Sequence, residues 1–109
     1  AVMAVRIDID ALEAQASRAS SVLGALSNEK RLVILCQLVD CERSVNDLTE
    51  LLDAPQSTIS QHLGVLRREG LVQTRRDAQT LYYSLAGEEA RTILETLQAL
   101  YCPGQPVDA

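Results

Sequence analysis

Two short helical patterns separated by a three-residue break, and followed by a pair of short basic strands, predict a winged helix-turn-helix. Such a fold is mainly α with a small β-hairpin wing, here in the order ααααββα. The break is Asp53-Ala54-Pro55, between a helical pattern ending near Leu52 and one running from about Pro55 to Arg68. After Gly70 the apolar period shortens: Leu71–Arg76 and Gln79–Leu85 alternate in part, with Leu81, Tyr83 and Leu85 on one face. A chain of 109 residues is one domain's worth of protein, so residues 1–109 are read as a single domain, with the helix-turn-helix over 44–68 and the wing over 71–85.

The elements follow in order. Over Ile9–Leu26 the residues Leu12, Ala16, Ala19, Leu23 and Leu26 fall three or four apart, the spacing of one helix face. Ser27-Asn28 offers an N-cap for a second helix over about Glu29–Asp40, with Leu32, Leu35, Cys36 and Val39 as its apolar stripe. Ser44-Val45-Asn46-Asp47 has the form of a capping box, Asp replacing Glu or Gln, and opens a third helix. Pro55 suits the first turn of the fourth. The strands are expected to turn at Asp77-Ala78, without the favoured glycine. A last helix over about Glu88–Cys102 carries Ala90, Ile93, Leu94, Leu97, Leu100 and Tyr101 on one side, and Pro103-Gly104 ends it.

Composition excludes several classes. With 47% hydrophobic and 23% charged residues the chain is globular rather than disordered. No apolar run approaches the roughly 18–20 residues of a membrane span. The first residues, Ala1 to Arg6, lack a signal-peptide pattern, so a cytoplasmic protein without a membrane partner is expected. The aromatics are three tyrosines, which leaves Leu, Val, Ile and Ala to build the core. Three cysteines, an odd number, do not read as a disulfide framework in that setting; they are core residues, metal ligands or reactive thiols.

The net charge of −5 argues against a polyanionic partner until its distribution is considered. Between Ala54 and Leu85 the ionised residues are Arg67, Arg68, Glu69, Arg75, Arg76 and Asp77, a net +2 that leaves −7 for the remainder. In the fourth helix Ile59, Leu63 and Leu66 face inward, and Gln56, Ser57, Thr58, Ser60, Gln61 and His62 supply short donors and acceptors elsewhere on its surface. Such side chains read base edges in a major groove, while Arg67 and Arg68 at the helix end and Arg75, Arg76 and Gln79 in the wing would hold phosphates. The bland alternative is a polar face that is merely solvated. It explains any one of these residues, but not the combination of polar helix, arginine pair, hairpin and second arginine pair.

Ala25-Leu26-Ser27-Asn28-Glu29-Lys30-Arg31-Leu32, Gln56-Ser57-Thr58-Ile59-Ser60-Gln61-His62-Leu63, Glu69-Gly70-Leu71-Val72 and Tyr82-Tyr83-Ser84-Leu85 closely resemble ArsR/SmtB-type bacterial repressors, over about Ala16 to Cys102. The resemblance implies a homodimer, held by the helices over 9–26 and 88–102, on an imperfect palindrome of double-stranded operator DNA. The apolar stripes of those two helices fit that implication, because a chain of this size does not easily cover both. Members differ in the ligand that releases them. Where arsenic-type members carry Cys-x-Cys, this chain has Ser44 and Asn46; where zinc-type members carry Asp and His on the last helix, residues 87–102 hold no His. No metal site and no cofactor is therefore expected, although three cysteines in a new arrangement still suit a thiophilic metal.

Ile34-Leu35-Cys36-Gln37-Leu38 and Leu100-Tyr101-Cys102 resemble the branch containing SqrR, BigR and HlyU, which senses persulfides, related reactive sulfur species or oxidants. That resemblance implies a repressor bound to DNA when reduced and released when Cys36 and Cys102 are linked within one subunit. The residues alone leave other readings open: Cys36 as a core residue of an apolar stripe, Cys41 as a competing thiol, and either order of attack. A thiol enzyme would need an activating His, Arg or helix N-terminus beside Cys36 or Cys102, and none is near in sequence, so no enzyme is expected. A winged-helix module that binds only protein is the remaining alternative.

Overall fold

A computed structural model describes residues 7–102. The elements are α1 (Ile9–Leu26), α2 (Glu29–Gln37), β1 (Arg43–Ser44), α3 (Val45–Leu52), α4 (Gln56–Arg68), β2 (Val72–Asp77), β3 (Thr80–Leu85) and α5 (Glu89–Tyr101). The four helices, hairpin and final helix read from the sequence are all present. The expectations for the first six residues and for Pro103-Gly104 lie outside the described residues.

Capping chemistry sets most of the helix starts. Asp8 accepts from the Ala11 amide at 3.1 Å and Asn28 from the Arg31 amide at 3.0 Å. At α3 the capping box is complete: the Asp47 amide donates to Ser44 Oγ (3.1 Å) and the Ser44 amide to Asp47 Oδ2 (2.9 Å). Asp53, left-handed at φ 49°, closes α3 and directs the chain through Ala54-Pro55 into α4. Gly70, at φ 75°, turns the chain from α4 into the hairpin without the steric penalty a Cβ would bring.

The sheet adds a strand that periodicity did not reveal. Its order is β1-β3-β2, antiparallel throughout, with Arg43 opposite Tyr83, Ser44 opposite Tyr82, and β2 paired to β3 from Val72–Leu85 to Asp77–Thr80. Two residues are too few for an alternating pattern, so β1 is visible only through its partner. The register moves the turn to Ala78-Gln79, one residue beyond the expected Asp77-Ala78, with Ala78 at φ 56°.

Two helices depart from the reading in ways that matter below. α2 ends at Gln37 rather than Asp40: Arg43 Nε bonds the Gln37 carbonyl at 2.7 Å, and in the turn beyond the helix Arg91 bonds that of Val39 at 2.9 Å. The buried face of α2 is Ile34, Leu35 and Leu38, a rotation away from the expected stripe; Leu32 and Val39 are half-buried and Cys36 is exposed. On α1 only Val22, Ala25 and Leu26 are buried, and Leu12, Ala16 and Leu23 of the predicted stripe face solvent, because that helix meets the rest of the chain only through its last turns.

The core sits where α2, α3, α4 and the base of the hairpin converge. Ile34, Leu35, Leu48, Ile59, Leu63, Leu66 and Leu71 have no accessible surface, and Ala90 and Leu94 close it from α5. Each large side chain so buried contributes about 1.5–3 kcal/mol. Arg18 ties α1 to this body, donating to the Glu69 carbonyl and to Glu89, both at 2.7 Å.

Candidate DNA-reading face and thiol groove

α4 divides as its sequence predicts. Ile59, Leu63 and Leu66 are buried, while Gln56, Ser57, Ser60, Gln61, Arg67 and Arg68 are exposed and Thr58 is half-buried. Its first turn has no side-chain cap and no acidic residue, unlike α1, α2 and α3, each of which has a capping side chain and an acid in that turn. Free amides and the positive end of the helix dipole thus stand open to an anion beside the polar face. Gln79 is exposed at the hairpin tip, and Arg76 is exposed on β2 with no ion-pair partner among the described residues.

His62 and Arg75 are placed less simply. His62 is half-buried, with Nδ1 enclosed and without a hydrogen-bond partner among the described residues. Desolvation, followed by the charges of Arg31 and Lys30 on α2, pushes its pKa down, which disfavours the protonated ring. Arg75 is engaged by a side chain that the sequence did not single out: Glu42, in the loop before β1, takes both Nε (3.1 Å) and a terminal guanidinium nitrogen. The same guanidinium lies 4.9 Å from the centre of the Tyr82 ring and 4.0 Å from Asp77. The hydrogen bond to Arg75 holds the Glu42 carboxyl below its ordinary pKa, and Glu42 in turn raises that of Arg75. In the free protein Arg75 is thus a bridge from the wing to the loop that follows α2.

The cysteines divide two and one. Cys36 and Cys102 line one groove of about 550 Å³ between α2 and α5, whose wall includes Leu32, Val39, Leu94, Leu97 and Tyr101, with Asp40 and Glu95 as its carboxylates. Cys41 is exposed in the loop beyond α2 and is not part of that wall. All three are free thiols. Cys36 opens to solvent on one side, yet enclosure by the groove wall, and secondarily the nearby Cys102 charge, push its thiol pKa up. The core-residue reading of Cys36 is therefore corrected: the rotation of α2 that buries Ile34, Leu35 and Leu38 turns Cys36 toward α5.

The groove was missed as such, although its pattern is present in the sequence. Leu32, Cys36 and Val39 stand at i, i+4 and i+7 on α2, and Leu94, Leu97, Tyr101 at i, i+3 and i+7 on α5, with Cys102 next in line. Two apolar stripes each carrying a thiol were the available signal. Asp40 and Glu95 gave none, since isolated carboxylates read as solvated surface. Among the described residues no three His, Cys, Asp or Glu side chains converge in a metal-binding arrangement, and no helix is long and apolar enough to cross a membrane.

A short turn between α3 and α4, a hairpin beside them and flanking helices α1 and α5 define the winged helix-turn-helix class of transcriptional regulator. The sequence pattern described as "Bacterial regulatory protein, arsR family" matches residues 28–74. The transcriptional activator HlyU of Vibrio cholerae is 45% identical over 96 residues, 88% of this chain and 89% of that protein. The structure of the transcriptional repressor BigR from Xylella fastidiosa superposes with a TM-score of 0.82 at 34% identity, covering 88% of this chain and 98% of that one. A homodimeric winged helix-turn-helix DNA-binding domain from Mycobacterium bovis gives 0.74 at 33% identity, over 90% of this chain and 89% of that one. The chain belongs to the ArsR family of bacterial transcriptional regulators.

Proposed function

We propose that this regulator is a repressor that binds operator DNA as a reduced homodimer and releases it when Cys36 and Cys102 become linked. The observation that carries the reading is the convergence of these two thiols, 66 residues apart in sequence, on one groove between two helices of different roles. α2 packs against the polar-faced helix α4, while α5 ends in exposed Leu100 and Tyr101, and α1 exposes Leu12 and Leu23. A second copy covering these faces of 9–26 and 88–102 would form the dimer, with 44–68 and 71–85 of each copy as its reading unit. A relative named as an activator and one named as a repressor share this fold, so the fold by itself does not fix the sign of regulation.

The chemistry balances with a persulfide, R–S–SH, as oxidant. A protein thiolate takes the outer sulfur and R–SH leaves. The second thiol then attacks the protein-bound sulfur of the new Cys–S–SH, hydrogen sulfide leaves, and a disulfide remains. Two thiols are oxidised and one persulfide is reduced to R–SH and hydrogen sulfide. The first attack is assigned to Cys102 on the open end of α5, because enclosure by the groove wall pushes the Cys36 thiol pKa up and so lowers its share of thiolate. Tying α5 to α2 then biases the placement of the two α4 helices. A coupling of about 1–3 kcal/mol weakens operator binding roughly 5–150-fold.

Operator binding and intact mass measured together before and after persulfide, peroxide and zinc test the reading. The expected result is an intrachain Cys36–Cys102 link accompanying release by the sulfur donor, with Cys36→Ser and Cys102→Ser proteins remaining bound. Release of either variant, or release by wild type without that link, overturns it.

A further inference from the structure

We propose that the groove between α2 and α5 selects its sulfur donor by charge: Asp40 and Glu95 favour neutral or cationic organic persulfides and turn anionic ones away. The proposal rests on the thiol-switch reading above and adds a specificity that the reading does not contain.

The groove is far larger than a single sulfur atom requires. Its volume of about 550 Å³ would hold many water molecules, each taking about 30 Å³ in the liquid. The wall offers hydrocarbon from Leu32, Val39 and Leu94, so it accommodates an organic carrier and not the sulfur alone. Among the described residues Asp40 and Glu95 are the only carboxylates in the wall, and no Lys, Arg or His lines it. Neither carboxylate has an ion-pair partner among the described residues. Nearby arginines are occupied elsewhere: Arg91 donates to the Val39 carbonyl at 2.9 Å and lies 3.6 Å from Glu88, and Arg43 donates to the Gln37 carbonyl. A donor with a carboxylate tail would enter an apolar cleft facing two like charges and no countercharge. One with an ammonium tail would meet two carboxylates still free to pair with it. The reacting –S–SH group is common to the donors but their leaving thiols differ in pKa, so each rate is taken relative to the same donor's rate with a small free thiol, which leaves the interaction of the tail with the groove.

The persulfides of cysteamine (cationic), 2-mercaptoethanol (neutral) and 3-mercaptopropionate (anionic) isolate the effect. The rate of Cys36–Cys102 bridging is followed by peptide mass in the full chain carrying Cys41→Ser. The cysteamine donor is expected to react fastest and the mercaptopropionate donor slowest, with a spread of about tenfold at low ionic strength. The spread should shrink in concentrated salt, and to about twofold in the D40N/E95Q protein. Equal rates for the three donors in the Cys41→Ser protein, or a spread that survives D40N/E95Q, overturn selection by these carboxylates while leaving the switch intact. No bridge from any donor overturns the switch and the selection with it. Alkylation supplies a readout without persulfide: Cys36 and Cys102 should prefer neutral iodoacetamide to anionic iodoacetate more strongly than free cysteine does, and an equal preference overturns the proposal.

Discussion

The half of the molecule built from α4 and the hairpin and the half built from α1 and α5 carry similar apolar stripes and use them differently. Ile59, Leu63 and Leu66 of α4 are wholly enclosed by the same chain. Leu23 of α1 is 59% exposed, and Leu100 and Tyr101 of α5 are 65% and 77% exposed. The first half is therefore complete within one chain, while the second presents apolar surface that nothing among the described residues covers. The thiol groove lies at the seam, with one wall on α2, anchored in the finished core, and the other on the unfinished α5. On the proposed switch, a bond across that seam would change how the open half is presented without first breaking the closed one.

Truncation separates the halves most sharply. Leu63→Ala should destabilise folding by about 2–5 kcal/mol, equally at every protein concentration, as read by denaturant unfolding. L23D/L100D should leave the fold of the single chain almost untouched, since both side chains are exposed in it. It should instead remove about 2–3 kcal/mol of assembly free energy, seen as a shift to monomer in sedimentation and as weaker operator binding. A concentration-independent loss of stability in L23D/L100D would break the comparison, because α1 and α5 would then belong to the closed half.

Smaller changes probe the turns that complete the reading half. Ser44→Ala removes the acceptor for the Asp47 amide and half of the capping box, and should cost about 1 kcal/mol. Ala78→Gly should add about 0.4–1 kcal/mol, since Ala78 holds φ at 56° where a Cβ is unfavourable. Thermal unfolding at fixed concentration measures both; a neutral Ala78→Gly would mean that the hairpin relaxes around its tip.

Much of this division was legible in the residues. The stripe of α4, the capping box at Ser44 and the change of period after Gly70 each rest on local chemistry, and the structure keeps all three. What failed depended on neighbours distant in sequence. The carbonyls of Gln37, at the end of α2, and of Val39, just beyond it, are taken by Arg43 and Arg91, and the second falls 52 residues from its partner Val39. Strand β1 exists only through its pairing with Tyr82 and Tyr83. The role of Arg75 as a bridge is set by Glu42, which stands 33 residues away. The facing of Cys36 followed from which side of α2 the core claims, and a stripe of Leu32, Leu35, Cys36 and Val39 was as regular as the one actually buried.

His62 is the loose end of the finished half, and the sign of its pH response decides to which surface it belongs. Its pKa is held down by desolvation and by Arg31 and Lys30, so the fold prefers the neutral ring. The unfolded chain takes up the proton first, near the ordinary value of 6.5. Stability is then fully present above that value and is lost as pH falls through the lowered folded value. The loss is the smallest effect considered, because the ring is only half-buried, and H62Q should flatten it in unfolding curves measured between about pH 7.5 and 5. Operator binding supplies the opposing sign. A ring packed against α2 gives affinity that falls with stability as the solution is acidified. One that reaches a phosphate has its pKa raised by that contact, and binding then tightens over the same range. Tightening that disappears in H62Q would move His62 from the packed surface of α4 to the reading face beside Gln61.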